Sequence, residues 1–205
     1  MLILNLAAGK FEPLEFNTKD YEMFNSKYVL NVDTSYFSHE DAGNIENDIR
    51  CWETDPDRCN VTKNLNMDVF KFMELTSIVF DRVVIYRFLE HVPFTQVEYF
   101  IYLVSTVLKQ GGYVDVIVPN YKILANMLVN EHSFMKDPNF DFHAHNITLT
   151  TELLNEPSCP HASIWTKERM TMLWELEKRF KVGLQHSSFK FDGRELYLRS
   201  FIQRV

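Results

Sequence analysis

Residues 81–120 constrain the fold more than any other stretch of the chain. They run from a short apolar segment at 83–85 through a polar cluster at 86–91 to apolar residues at helical spacing, and a second apolar run follows Gly111 and Gly112. This order predicts a strand, a helix and a strand, and a connection of this length joins neighbouring parallel strands by a right-handed crossover. Ligands bind at the carboxyl ends of such strands, so residues 86–91 are expected at a functional site.

The helix in this stretch has its own start and stop signals. Thr95 and Glu98 have the spacing of a capping box, which predicts that the helix begins there. Gly111 is predicted to end the helix in the left-handed conformation. The apolar residues between these signals predict one face that lies on a sheet: Val97, Phe100, Ile101, Val104, Val107 and Leu108.

Two apolar runs near the start of the chain predict two more strands. Residues 2–6 and 28–32 are almost entirely apolar, which is typical of central parallel strands. The first run leads into the small residues 7–9, and small residues let a backbone turn approach a ligand closely. In nucleotide-binding sheets, an acidic residue that follows the next strand, about twenty residues beyond such a turn, binds the ribose hydroxyls. Asp33 is therefore a candidate to bind the ribose of a nucleotide.

The second half of the chain predicts a lid and a closing hairpin. Residues 121–165 form a long, polar, histidine-bearing insertion, and loops of such length in compact domains usually cover or bind ligands. Thr166 is predicted to cap a further helix. Two strand-like runs, 181–189 and 195–202, are separated by an Asp-Gly pair, which predicts an antiparallel hairpin. We therefore expect one α/β domain over 1–205, with a Rossmann-like, mostly parallel sheet and helices on both of its faces.

The composition narrows the partners and the compartment. The chain has 28 Asp and Glu against 21 Lys and Arg, and its basic residues are scattered. A protein that grips a nucleic-acid backbone needs a concentrated basic face, so a nucleic-acid partner is disfavoured. Three cysteines without a C-x-x-C pair fit a reducing compartment, and no apolar run reaches the ~18 residues of a membrane span. These features predict a cytoplasmic protein without a membrane partner, and they leave an oligomer open.

Several segments resemble one known family. FLEHV, the helix after it and VLKQGGYVDVIVPN resemble the segment after strand 4, the fourth helix and the turn into strand 5 of class I S-adenosylmethionine (SAM)-dependent methyltransferases. LNLAAGK and LNVDTSY are similar to the first two strands of a subgroup of small, type 11-like methyltransferases. The resemblance covers essentially the whole chain. It implies a seven-stranded sheet, SAM as cofactor and methyl transfer as the reaction.

The resemblance also implies roles for individual residues. The cofactor would be held by the first turn, the ends of the second and third strands and the loop after the fourth strand: Asn5, Ala7, Ala8, Gly9, Asp33, Met67, Asp68, Val69, Arg87, Leu89 and Glu90. His91 is the candidate general base, because imidazole titrates near neutral pH, and the alternative is that it orders its loop by hydrogen bonding. The insertion offers candidate substrate contacts at Tyr121, His143, His145, His161 and Trp165.

The predicted acceptor is a small polar molecule, because the insertion over the site is polar and rich in histidine. The hydroxyl oxygen of a sugar or a similar metabolite fits it best. A second hypothesis is a binding or structural module without catalysis, because alanine stands in place of the first glycine of the family's turn and Phe11 in place of the last. A nicotinamide-dependent dehydrogenase is disfavoured by the missing G-x-G-x-x-G motif. Asp141 with His143 and His145 has a spacing only weakly specific for a divalent metal, and no metal is predicted.

Overall fold

The computed structural model describes residues 1–6, 27–34, 42–55, 57, 59–122, 125, 162–191 and 194–205. In chain order, their helices and strands are β1 Leu2–Leu6, β2 Tyr28–Val32, α1 Ala42–Thr54, β3 Val61–Leu65, α2 Val69–Leu75, β4 Phe80–Tyr86, the 3₁₀ helix Leu89–His91, α3 Phe94–Val107, β5 Leu108–Pro119, α4 Lys167–Leu176, β6 Phe180–Phe191 and β7 Arg194–Arg204. None of the helices in these ranges has the length and apolar character needed to cross a bilayer.

The seven strands form one sheet in the order β3-β2-β1-β4-β5-β7-β6. Strands β1 to β5 pair in parallel, whereas β7 is antiparallel to both β5 and β6. The predicted mostly parallel sheet with an antiparallel C-terminal hairpin is therefore confirmed. Because β2 and β3 lie on one side of β1 and β4 and β5 lie on the other, the winding direction reverses between β1 and β4. A ligand crevice is expected at the carboxyl ends of these two strands.

The crossover from β4 through α3 to β5 also matches its prediction. The face of α3 predicted to lie on the sheet is buried: Val97, Phe100, Ile101, Val104 and Val107. It shares one hydrophobic core with Leu4 and Leu6 of β1 and with Val83 and Ile85 of β4. Each such side chain stabilises the fold by about 1.5–3 kcal/mol when it leaves water. Burial of this face therefore fixes α3 against the sheet.

The start of α3 differs from the predicted capping box. The helix begins at Phe94 with Pro93 as its N-cap, and no side chain caps it. Thr95 lies inside the first turn, and both Thr95 and Glu98 are exposed. The capping box is wrong because the fixed backbone of Pro93 enters the helix two residues earlier than predicted, with its carbonyl accepting the N–H of Gln96 at 2.7 Å.

The end of α3 also differs from its prediction. The helix ends at Val107, so Gly111 does not terminate it. Gly111 does adopt a left-handed φ of 78°, but it lies within β5, where the pairing with β4 shifts register. A Cβ at Gly112 would lie 2.8 Å from the carbonyl oxygen of Lys109 and 2.9 Å from that of Asp81. The two glycines therefore form a bulge in which backbones approach closely.

Candidate functional site

The chain leaves β4 through a strained turn at Arg87. Arg87 has a left-handed φ of 51°, which costs a residue other than glycine roughly 1–2 kcal/mol. Its N–H donates to the carbonyl of Ile117 on β5 at 2.8 Å. Its guanidinium lies 5.6 Å from the centre of the Tyr197 ring on β7. These contacts offset the strain and place the 3₁₀ helix directly after the carboxyl end of β4.

A second segment of the chain, residues 162–165, fastens this loop. The N–H groups of Ala162 and Ser163 both donate to the carbonyl of Glu90, at 2.7 and 3.0 Å. The Ser163 hydroxyl donates to the carbonyl of Leu89 at 2.9 Å, and the Trp165 indole N–H donates to the Ser163 hydroxyl at 2.8 Å. The backbone of the loop is thus held by a segment more than seventy positions away, and its side chains are pre-positioned.

Glu90 carries a buried carboxyl group in this loop. Its side chain is completely shielded from solvent. Within the described ranges, neither of its carboxyl oxygens has a hydrogen-bond partner. Burial raises the pKa of Glu90 to about 8, and the proximity of its own backbone N–H and the charge of nearby Arg87 oppose this rise only in part. An unpaired carboxylate is costly in such surroundings, so the group is mostly a neutral acid near pH ~7.

Two tyrosines share the environment of Glu90. Tyr86 is the last residue of β4, and Tyr121 follows β5. Burial raises the pKa of both phenols, and the charge of Glu90 raises them further, although Arg87 opposes the rise at Tyr86. Both hydroxyls therefore stay neutral and able to donate. Three polar side chains thus gather where β4 and β5 end.

An asparagine row crosses the strands on the other side of the crevice. Asn5 on β1, Asn31 on β2 and Asn64 on β3 are paired in register. The Asn5 amide donates to the Asn31 side-chain oxygen, and the Asn31 amide donates to that of Asn64, both at 2.8 Å. Asn5 and Asn31 are fully buried, and the Oδ1 atom of Asn5 lacks a hydrogen-bond partner among the residues described. The predicted cofactor residue Asn5 therefore keeps an open acceptor beside β4.

The predicted residues after β2 and β3 lie at the same edge of the sheet. Asp33 follows β2 directly and is half-buried. Met67 is half-buried against the core, and Val69 is buried. Asp68 is exposed and caps α2 by accepting the N–H of Lys71 at 2.9 Å. The Asp68 carboxylate thus has a structural role of its own, because it satisfies a free amide at the helix start.

Trp165 does not lie where a residue that stacks on substrate would lie. Its side chain is completely buried within the main core. The indole N–H is satisfied inside that core by Ser163, and a buried indole with its donor paired is a stable core residue. Trp165 therefore supports the loop after β4 from within, rather than covering it.

The other predicted residues are placed only in part. His91 is half-buried, and its backbone N–H donates to the carbonyl of Phe88 at 2.8 Å. Outside the described residues lie Ala7, Ala8, Gly9, Asp141, His143, His145 and His161. In the ranges that are described, no three His, Cys, Asp or Glu side chains come together as a metal site.

Sequence reasoning missed two parts of this site. It did not foresee the asparagine row, although the runs LNL, LNV and KNL each carry one asparagine. It also did not foresee Ser163 as the residue that fastens the loop after β4. No local pattern marks Ser163, because its partner Leu89 is far away in the chain.

The fold is that of the class I SAM-dependent methyltransferases. The chain is similar to a SAM-dependent methyltransferase from Methanosarcina mazei, with a TM-score of 0.50 and 16% identity over 100% of this chain and 92% of that one. It is also similar to the N-methyltransferase NodS from Bradyrhizobium japonicum, with a TM-score of 0.53 and 11% identity over 100% and 85% of the two chains. A structure of NodS with S-adenosyl-L-homocysteine (SAH) is known.

A third similar structure is an O-methyltransferase family protein from Burkholderia thailandensis, with a TM-score of 0.53 and 12% identity over 99% of this chain and 50% of that one. No protein-family model and no curated protein sequence matches the chain. Identities this low establish the fold alone, and function has to be inferred from the site.

Proposed function

We propose that this protein is a SAM-dependent methyltransferase that transfers a methyl group to a small polar acceptor. The observation that carries the proposal is the placement of the candidate residues in the sheet. Asn5 near the end of β1, Asp33 after β2 and residues 87–91 after β4 belong to neighbouring parallel strands and lie at one edge, on both sides of the crevice where the winding reverses. Ligands of open α/β sheets bind at this position.

The residues present fit such a cofactor. Asp33 is proposed to accept hydrogen bonds from the two ribose hydroxyls, and Met67 and Val69 to flank the adenine. Asn5 and Glu90 offer buried polar atoms without described partners, and atoms of this kind are expected to meet a polar ligand. The bound cofactor would supply an activated methyl group on a sulfonium. The chain itself would bind, orient and shield that group from water.

The chemistry left to the protein is positioning and removal of one proton. We propose that the acceptor is a hydroxyl of a sugar or similar metabolite, and that His91 would take the hydroxyl proton when this oxygen receives the methyl group, which leaves the sulfur and so converts SAM to SAH. Once a screen of sugars and nucleotide sugars finds a compound that gains one methyl group, His91→Gln should lower kcat by about 10²–10⁴-fold and remove the acidic limb of its pH profile. An unchanged profile would leave His91 a loop-ordering residue.

Isothermal titration calorimetry of the full chain with SAM and with SAH tests the proposal. We expect both ligands to bind, and Asp33→Ala to weaken both by about 100-fold or more, because two hydrogen bonds to a charged acceptor are lost. Asp57→Ala is the matched control, since Asp57 is an exposed carboxylate in the connection between α1 and the start of β3. If neither ligand binds the unmodified protein at roughly millimolar concentration, the protein keeps the fold without this function.

A further inference from the structure

The two ligands of that titration differ by one charge, and Glu90 has the properties needed to detect it. SAM carries a positive sulfonium, whereas SAH carries a neutral thioether in the same place. Glu90 is fully buried, lacks a described hydrogen-bond partner and follows β4 at the crevice. Its backbone is held on the carbonyl side by Ala162 and Ser163. A buried acid on a loop held in this way cannot turn to water, and a cationic ligand in the crevice is the kind of partner that the described residues do not give it.

We infer that Glu90 pairs with the cationic sulfonium of SAM, so that the protein binds SAM more tightly than SAH. This inference rests on the proposed function and goes beyond it, because it assigns a residue to the discrimination between cofactor and product. An opposite charge favours an ionised carboxylate, so SAM is expected to expel the proton of Glu90 when it binds. SAH has no charge to offer and leaves the proton in place.

The other groups around Glu90 are not expected to release a proton when SAM binds. Arg87 is permanently charged and lies over the Tyr197 ring, and Tyr86 and Tyr121 stay neutral because burial raises their pKa values. Residues 162–165 contain no ionisable side chain. On β5, Asp115 is bound by Arg199. His91 adjoins Glu90 in the chain, and it is present in every variant compared below.

The expected result is a pH dependence that only the cationic ligand shows. Below about pH 8, SAM has to displace a proton, so its affinity should rise with pH while that of SAH stays flat. The ratio Kd(SAH)/Kd(SAM) should therefore increase towards a limit of about tenfold per pH unit between about pH 6 and about pH 8. Calorimetry in phosphate and in Tris should show up to about one more proton released by SAM than by SAH.

Glu90→Gln tests the assignment, because glutamine has the shape of the neutral acid and cannot ionise. In this variant the ratio of the two dissociation constants should no longer change with pH. Glu98→Gln makes the same chemical change at an exposed position on α3 and should behave as the unmodified protein does. Sinefungin, which carries an amine cation in place of the methylsulfonium, should follow SAM and provides a test that needs no variant.

Failure of the proposed function and failure of the assignment of Glu90 give different results. If neither SAM nor SAH binds, the proposed function and this inference both fall. If both bind with a ratio that does not change with pH, or if Glu90→Gln keeps the proton release of the unmodified protein, the function stands and Glu90 is not the partner of the sulfonium.

Discussion

Replacing Asp115 with asparagine lowers the free energy of unfolding by about 3–5 kcal/mol, although it changes one oxygen to a nitrogen. Asp115 on β5 accepts two hydrogen bonds from the guanidinium of Arg199 on β7, at 2.9 and 2.6 Å. Only 2% of the Asp115 side chain and 17% of the Arg199 side chain are exposed. The variant leaves the arginine buried without an opposite charge, and this uncompensated charge is the main source of the cost.

The control for this variant is an ion pair that is exposed to solvent. Lys122 and Glu168 lie 3.3 Å apart with 66% and 69% of their side chains exposed. Lys122→Gln should leave the urea midpoint almost unchanged, because solvent screens an exposed pair. Replacing Asp115 with Leu and Arg199 with Met together should recover much of the loss, since no charge is then stranded. Equal urea midpoints for Asp115→Asn and Lys122→Gln would show that the buried pair is not needed.

Glu90 makes the free protein less stable as the pH rises from about 4.5 to about 8. Its pKa is raised from 4.5 to about 8 in the folded state. Between these values the folded state binds a proton that the unfolded state has lost. The free energy of unfolding therefore falls with increasing pH, by an amount on the order of 5 kcal/mol from this group.

Urea unfolding of the unmodified protein and of Glu90→Gln, without ligand, measures this effect. Relative to the unmodified protein, the variant should gain stability progressively across the window and level off above about pH 8. Asp81 does not mimic the effect. Burial alone would raise the pKa of Asp81, but the Leu2 N–H and Lys109 outweigh burial and hold this pKa below its usual range. The stability that Asp81 contributes is therefore lost only as the pH falls below the range in which an ordinary aspartate titrates. If the free energies of unfolding of the two proteins differ by the same amount at every pH, Glu90 is not a buried neutral acid.

The order and direction of the central elements could be predicted because each has a local signal. Periodicity within residues 81–120 gave the strand, helix and strand, and the length of the connection gave their parallel pairing. Asp33 was expected at the end of a strand and is found there. The start of α3 was predicted wrongly because Pro93 begins the helix earlier, whereas its end was predicted wrongly for a reason that is not local. The bulge at Gly112 depends on close approach of the carbonyl of Asp81 on the neighbouring strand.

The sequence by itself determined the α/β class, the crossover and the edge of the sheet where chemistry is expected, since hydrophobic period and turn residues act over a few positions. Only the tertiary structure decided which side chains at that edge are charged, paired or covered. Burial keeps Glu90 a neutral acid, and Trp165 is a core residue because residues 162–165 fold back onto the loop after β4. Burial and hydrogen bonding between such distant segments set a residue's chemistry, and no short sequence pattern records them.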